Sequence, residues 1–215
     1  MRYEEVRDIV RGVPHATERQ GHQLYQFVRS HRPRAVLELG FAHGVSSCYI
    51  GAALAANGAG KLTTIDLDKA RRRQPDITEL LGRTQLEKWV QPIFTPTSYT
   101  WELMRLLERT QPGQHPYDFV FIDGAHRWET DGFAFFLADR LLAPGGWILF
   151  DDLQWTYAAS PALRDTPAVA AMPREERETP QVGKIFDLLV RRHPGYGEFA
   201  VVGSYGWARK LPGPS

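Results

Sequence analysis

The sequence predicts a doubly wound, Rossmann-like α/β fold: a mostly parallel seven-stranded sheet closed by a C-terminal antiparallel hairpin. Three observations carry this expectation. An apolar run over residues 35–39 passes through the turn Gly40-Phe41-Ala42-His43-Gly44 into a small-residue helical pattern that stops at Asn57-Gly58. A strand, a glycine turn and a helix in that order form the opening unit of such a fold. A second run, Phe119 to Ile122 between Asp118 and Asp123, is uniformly apolar, as suits a central parallel strand buried on both faces. Acids also recur just past predicted strand ends, at Asp66, Asp123, Asp151 and Asp152, the edge where open α/β sheets bind ligands.

Composition narrows the function classes. A chain of 215 residues is long enough for one domain with a full core, and residues 1–215 read as a single unit. With 43% apolar and 24% charged residues and a net charge of +1, there is no electrostatic case for nucleic acid, and a small-molecule substrate is the default partner. Cys48 is the single cysteine, which excludes an intrachain disulfide and a thiolate zinc site. No stretch approaches the ~20 apolar residues of a membrane span, and Met1-Arg2-Tyr3-Glu4-Glu5 is no signal peptide. The expectation is a cytoplasmic protein without a membrane partner, with a homo-oligomer left open.

The elements follow in order. Val6, Ile9, Val10 and Val13 fall at helical spacing before Pro14, and Thr17-x-x-Gln20 reads as a capping box for a helix burying Leu24, Phe27 and Val28. Residues 1–33 are therefore N-terminal helices. After the first βα unit, residues 61–66 form the second strand, with Asp66 at its end. An acid about 20 residues past the glycine turn typically accepts hydrogen bonds from a ribose. Asp68 and simple helix capping are the alternatives. Arg71-Arg72-Arg73 reads as the solvated face of an exposed helix. Residues 90–94 form the third strand, 117–123 the fourth and 147–150 the fifth, the last following Pro144-Gly145-Gly146. Residues 153–180 carry prolines and charge runs without periodicity and read as an irregular insertion with a short helix. Val182, Ile185, Phe186 and Leu189 mark an amphipathic helix, residues 199–202 and 205–209 a hairpin, and Leu211 onward a loose tail.

Two features carry chemistry. Backbone N–H groups at the helix start after Gly44 favour an anionic group, so a nucleotide-like cofactor is expected. The spacing is Gly40-x-x-x-Gly44 and not the G-x-G-x-x-G of dinucleotide sites. Glu38 just before the turn would repel a pyrophosphate yet receive an ammonium; an ordinary βα turn stays the bland alternative. Second, carboxylates at neighbouring strand ends repel one another unless paired. A divalent cation held by Asp123, Asp151 and Asp152 resolves this, and oxygen ligation points to magnesium. The alternative is that Asp151 and Asp152 only cap the following loop.

The Glu38-x-Gly40-x-x-x-Gly44 pattern resembles the first motif of the class I S-adenosylmethionine-dependent methyltransferases. Phe121-Ile122-Asp123-Gly124-Ala125-His126 and Gly145-Gly146-Trp147-Ile148-Leu149-Phe150-Asp151-Asp152 are similar to the metal-binding segments of magnesium-dependent O-methyltransferases. The catechol and caffeoyl-coenzyme A enzymes carry a lysine at the place of His126 and an asparagine at that of Asp152. These departures look more like the macrolide-sugar and cephalosporin-hydroxylase-like branch. The resemblance spans residues 17–152 in motif order.

What the resemblance implies is specific. S-adenosyl-L-methionine would be bound by Glu38, Gly40, Phe41, Gly44, Ser46, Asp66 and Asp123, with the adenine touching Thr97 or Ser98. Magnesium would align two substrate oxygens, and His126 would accept the proton during transfer of the methyl group to oxygen; the alternative is that His126 only caps the following helix or hydrogen-bonds Asp151 or Asp152. Trp155 and Tyr157 follow the acidic pair and read as a substrate wall or as simple packing aromatics. The rival readings are an NAD-dependent oxidoreductase and a non-catalytic adenosylmethionine-binding subunit.

Overall fold

The computed structural model describes residues 2–212; Met1 and the end of the expected C-terminal tail, residues 213–215, lie outside them. One sheet of seven strands organises the chain: β1 (Ala35–Leu39), β2 (Lys61–Leu67), β3 (Val90–Thr95), β4 (Tyr117–Ile122), β5 (Leu142–Phe150), β6 (Tyr196–Val202) and β7 (Tyr205–Lys210). Their order is β3-β2-β1-β4-β5-β7-β6. The first five are parallel, and β7 runs antiparallel between β5 and β6. The order reverses between β1 and β4, so the doubly wound expectation holds, with its crevice beside β1.

Alternation along the strands builds two cores. Val36, Leu62, Phe119, Phe121 and Leu149 face α1 (Tyr3–Val10), α2 (Glu18–His31), α3 (Val45–Asn57) and α4 (Ile77–Thr84). Leu37, Leu39, Ile65, Val120, Ile122, Ile148 and Phe150 face α5 (Tyr99–Arg109), α6 (Trp128–Leu141) and α9 (Gln181–Ile185). Successive side chains of a strand point to opposite faces, which is why an unbroken apolar run is needed in β4 and β5.

Helix α3 is buried nearly all round, from Val45 to Leu54, because it is sandwiched between the sheet and α2. Its small residues permit this. A Cβ on Gly21 of α2 would fall 2.1 Å from the Tyr49 ring of α3. The expected stop is present: Gly58 caps α3 in the left-handed region. Asn57 also ties the two helices, donating to the Val28 carbonyl (2.9 Å) and accepting from Arg29 (2.6 Å).

Four elements differ from expectation. β5 starts at Leu142, because Pro144-Gly145-Gly146 is absorbed in the strand at a register irregularity opposite Tyr117 and Phe119. The basic run leaves a single 3₁₀ turn, Asp68–Arg72, and not a longer helix; Arg71 and Arg72 are exposed as expected, with Arg71 3.6 Å over the Phe94 ring, while Arg73 reaches His15 (2.9 Å). Residues 153–180 contain two short helices, α7 (Pro167–Ala170) and α8 (Arg174–Glu178), held partly by buried Tyr157 and Val169. The last amphipathic helix passes from α9 into a π-helical turn, Phe186–Val190. No helix among the described residues is long and apolar enough to cross a membrane.

Gly21→Ala should force α2 off the buried Tyr49 ring and cost about 1–3 kcal/mol, the usual range for overpacking. Urea unfolding of the two proteins measures it; equal midpoints would show that the helices separate freely.

Candidate active site

Strand register sets the edge on which the site is built. The N–H of Gly40 donates to the Ile65 carbonyl (2.8 Å), that of Asp123 to Leu39 (2.8 Å) and that of Asp151 to Ile122 (3.1 Å). Gly40, Asp123 and Asp151 therefore leave adjacent strands at one level, beside Asp66 near the end of β2. Gly40 has φ +88°, and a Cβ there would lie 2.0 Å from the Asp123 carbonyl oxygen. Only glycine fits this crossing.

The turn is held by the acid expected to bind ribose. Asp66 Oδ2 accepts from the amides of Phe41 (3.1 Å) and Ala42 (2.7 Å), and its Oδ1 from Leu67 (2.6 Å). Ala42 itself is left-handed, at φ +49°. A carboxylate offers about four acceptor sites, so these three bonds leave roughly one on Oδ1. Asp68 is exposed and faces Arg71 (3.7 Å). Inside the turn, Glu38 is fully buried. Its Oε2 accepts from the hydroxyls of Thr64 (2.5 Å) and Ser47, while Oε1 is buried without a partner. Burial pushes this carboxyl up to about 7, although the Ser46, Ser47 and Thr64 hydroxyls pull it down. His43 Nδ1 lies 2.6 Å from the Pro75 carbonyl, and its ring stacks on His15. Phe41 is buried edge-on to Phe94. Thr97 is exposed, whereas the Ser98 hydroxyl caps α5 through the Thr100 amide (3.1 Å).

On the other side of Gly40, ligand atoms of Asp123, His126 and Asp152 lie within 4.8 Å of one another. His126 Nε2 is 2.9 Å from Asp152 Oδ2 and 3.7 Å from Asp123 Oδ1. It is buried without a directed hydrogen bond. Burial alone would lower the imidazole pKa, but the two carboxylates outweigh it and lift it to about 10. Burial likewise raises the Asp123 carboxyl. His126 and Asp152 are both left-handed, at φ +56° and +59°. The Trp155 ring lies 4.8 Å from that of His126, and the Tyr157 hydroxyl donates to the Ala125 carbonyl (3.1 Å).

Asp151 stands apart from this group. Its Oδ2 accepts from Gln20 (2.8 Å) and its Oδ1 from the Asp152 amide (2.6 Å). Burial first, then the charges of Asp123 and Asp152, push it up to about 8. The converging set is thus two aspartates and a histidine, where three aspartates were expected. With Asp152 in the left-handed region, the paired acids point to different partners. Sequence reasoning missed Tyr99 and Asp131, which hold the His126 loop. It also read Gln20 only as a cap, although its Nε2 reaches Asp151 and Ser204. An acid in the first turn of the helix after a site loop is the one signal that points to Asp131.

A methyltransferase-domain profile matches residues 37–153, from the first strand to just past the paired acids. The chain belongs to that methyltransferase family. No curated protein matches it. Among solved structures, an O-methyltransferase from Bacillus cereus in complex with SAH is 21% identical, with 97% of this chain and 90% of that chain covered and a TM-score of 0.67. The O-methyltransferase TomG from Streptomyces achromogenes, involved in tomaymycin synthesis and solved with SAM, is 21% identical over 98% and 89% (TM-score 0.66). The SAH-bound methyltransferase PaMTH1 from Podospora anserina is 18% identical over 97% and 87% (TM-score 0.66). At these identities the likeness concerns the fold alone.

Glu38 yields a pH prediction. Its folded pKa of about 7 lies above the ordinary 4.5, so its stabilising contribution is complete below about 4.5 and is lost as pH rises through 7. Relative to Glu38→Gln, the parent methyltransferase should lose up to about 3 kcal/mol across that window and nothing further above it. Urea unfolding at several pH values measures the difference; parallel curves would mean that Glu38 does not titrate there.

Proposed function

We propose that this methyltransferase uses S-adenosyl-L-methionine to methylate an oxygen of a small molecule with neighbouring oxygens, assisted by a divalent cation. One observation carries the reading: a buried His126 Nε2 without a directed hydrogen bond stands among the Asp123 and Asp152 carboxylates, directly beside the glycine turn. The SAH- and SAM-bound relatives of the same fold support the choice of cofactor.

The residues present fit both groups. For the cofactor, Glu38 Oε1 is an open buried acceptor, and Asp66 keeps an acceptor site for a ribose hydroxyl. Ser46 and Ser47 stand at the helix start, where the Ser47 hydroxyl donates to Glu38, while Gly40, Phe41 and Gly44 shape the turn. The adenine contact falls to Thr97, since Ser98 is spent on α5. When bound, this cofactor supplies a methyl group on a sulfonium. For the cation, Asp123, His126 and Asp152 would be the ligands, with Asp151 holding the Asp152 amide from behind. Two carboxylates suit magnesium or manganese, and the imidazole shifts the set toward manganese. When bound, the cation supplies positive charge beside the acceptor oxygen.

The chain's own work is orientation and proton management. Trp155 stacks toward His126 and excludes water from one side of the acceptor. With the cofactor bound, the methyl group it supplies would pass to the acceptor oxygen, and the acceptor's hydroxyl proton would go to a base or to water. A second reading makes His126 the base for that proton; Asp123 and Asp152 lift its pKa to about 10, so the ring would accept a proton only once a bound cation had driven its own proton off.

Three measurements test this. SAH at 100 times its dissociation constant should add about 2.7 kcal/mol of apparent stability, and NAD none. Methyl transfer should vanish in EDTA and return with magnesium or manganese; full turnover in chelator rejects the cation. His126→Gln should weaken manganese binding about tenfold or more together with turnover. Unchanged manganese affinity with turnover lowered ~10²–10⁴-fold would move His126 to the base role.

A further inference from the structure

Resting on the reading that His126 acts beside Asp123 and Asp152, we infer that Asp131 is the positioning residue for His126. With Tyr99, it locks the 124–127 loop in the left-handed bend that carries Nε2 to the two carboxylates.

The argument starts from backbone strain. A non-glycine residue at φ +56° costs of order 1 kcal/mol or more and persists only where surrounding structure over-determines it. Both amides that bracket His126 end on one carboxylate. Ala125 N–H donates to Asp131 Oδ1 (3.3 Å) and Arg127 N–H to Asp131 Oδ2 (3.2 Å). The Tyr99 hydroxyl donates to the same Oδ1 and accepts from Ala125 N–H (3.1 Å). Asp131 and Tyr99 are 1% and 5% exposed, so water does not compete for these groups. Gly124 lies on the Tyr99 ring, where a Cβ would come 2.5 Å from the hydroxyl oxygen.

Helix capping alone does not account for this. Arg127, the residue at the cap of α6, supplies no side-chain cap, and the free Trp128 amide is taken by Gln181 (2.8 Å). Asp131 instead reaches back from inside the first turn to an amide that precedes the helix altogether. With one amide fixed on each oxygen, the Gly124–Ala125 and His126–Arg127 peptides are held by Asp131, and the peptide between Ala125 and His126 is held by the Tyr157 hydroxyl through the Ala125 carbonyl. The imidazole then has one direction available.

Asp131→Asn keeps the shape but converts one oxygen to a donor, so one bracketing amide loses its acceptor. In the metal-free protein, amide exchange at Ala125 or Arg127, read by NMR, should accelerate about tenfold or more. Manganese affinity should fall about 10–100-fold, with SAH affinity within about twofold of the parent. Tyr99→Phe removes only the hydroxyl and should give the same split at about 3–10-fold; it carries the test if Asp131→Asn does not fold. Unchanged exchange, unchanged manganese affinity in a parent that binds it, or manganese and SAH affinities falling together would each overturn the assignment. A parent that binds no manganese rejects the cation of the proposed function, and the exchange data then decide the clamp by themselves.

Discussion

Carboxylates crowded at one edge of the sheet, largely out of water, are the constraint that the surrounding structure answers. Glu38, Asp123, Asp131 and Asp151 all have pKa values pushed up, with burial the largest cause in each case. A buried charge without partners is prohibitively costly, and each acid finds a different solution. Hydroxyls of β2 and α3 serve Glu38, Gln20 serves Asp151, Tyr99 serves Asp131, and His126 stands between Asp123 and Asp152. The cluster left with one imidazole for two carboxylates is the place where a cation gains most.

The same edge repeats one backbone device three times. Ala42, His126 and Asp152 are the left-handed non-glycine residues that follow β1, β4 and β5. In each case a neighbouring carboxylate takes the amide of that residue or of its flanks: Asp66 for Ala42, Asp131 for the neighbours of His126, Asp151 for Asp152. Strain at a strand end is thereby balanced by charge-assisted hydrogen bonds. The acids divide accordingly into those that shape the backbone and those that face the crevice.

Gln20 couples the second N-terminal helix to this edge. Gln20 Oε1 completes the capping box with Thr17, while Nε2 spans to Asp151 and to Ser204 in the β6–β7 turn. Helix start, strand end and hairpin thus meet in one amide group.

Local chemistry in the chain was sufficient for the architecture. Unbroken apolar runs, the glycine turn, the Asn57-Gly58 stop and the Thr17–Gln20 cap each act within a few residues, so the sheet and its main helices were legible from the order of residues. That acids gather at this edge was legible too, because strand ends of a parallel sheet lie side by side. Which acid points where was not. Asp151 and Asp152 are neighbours in sequence, yet the left-handed turn at Asp152 sends one to Gln20, 131 residues away, and the other to His126. Asp66 was read as a ligand for ribose, but the amides of Phe41 and Ala42, brought to it across the sheet, claim most of its oxygens. Asp131 carried no motif at all. Its role exists only because Tyr99 packs under the loop after β4. Side-chain direction at a strand end depends on partners contributed by distant elements, and only the folded sheet brings those partners together.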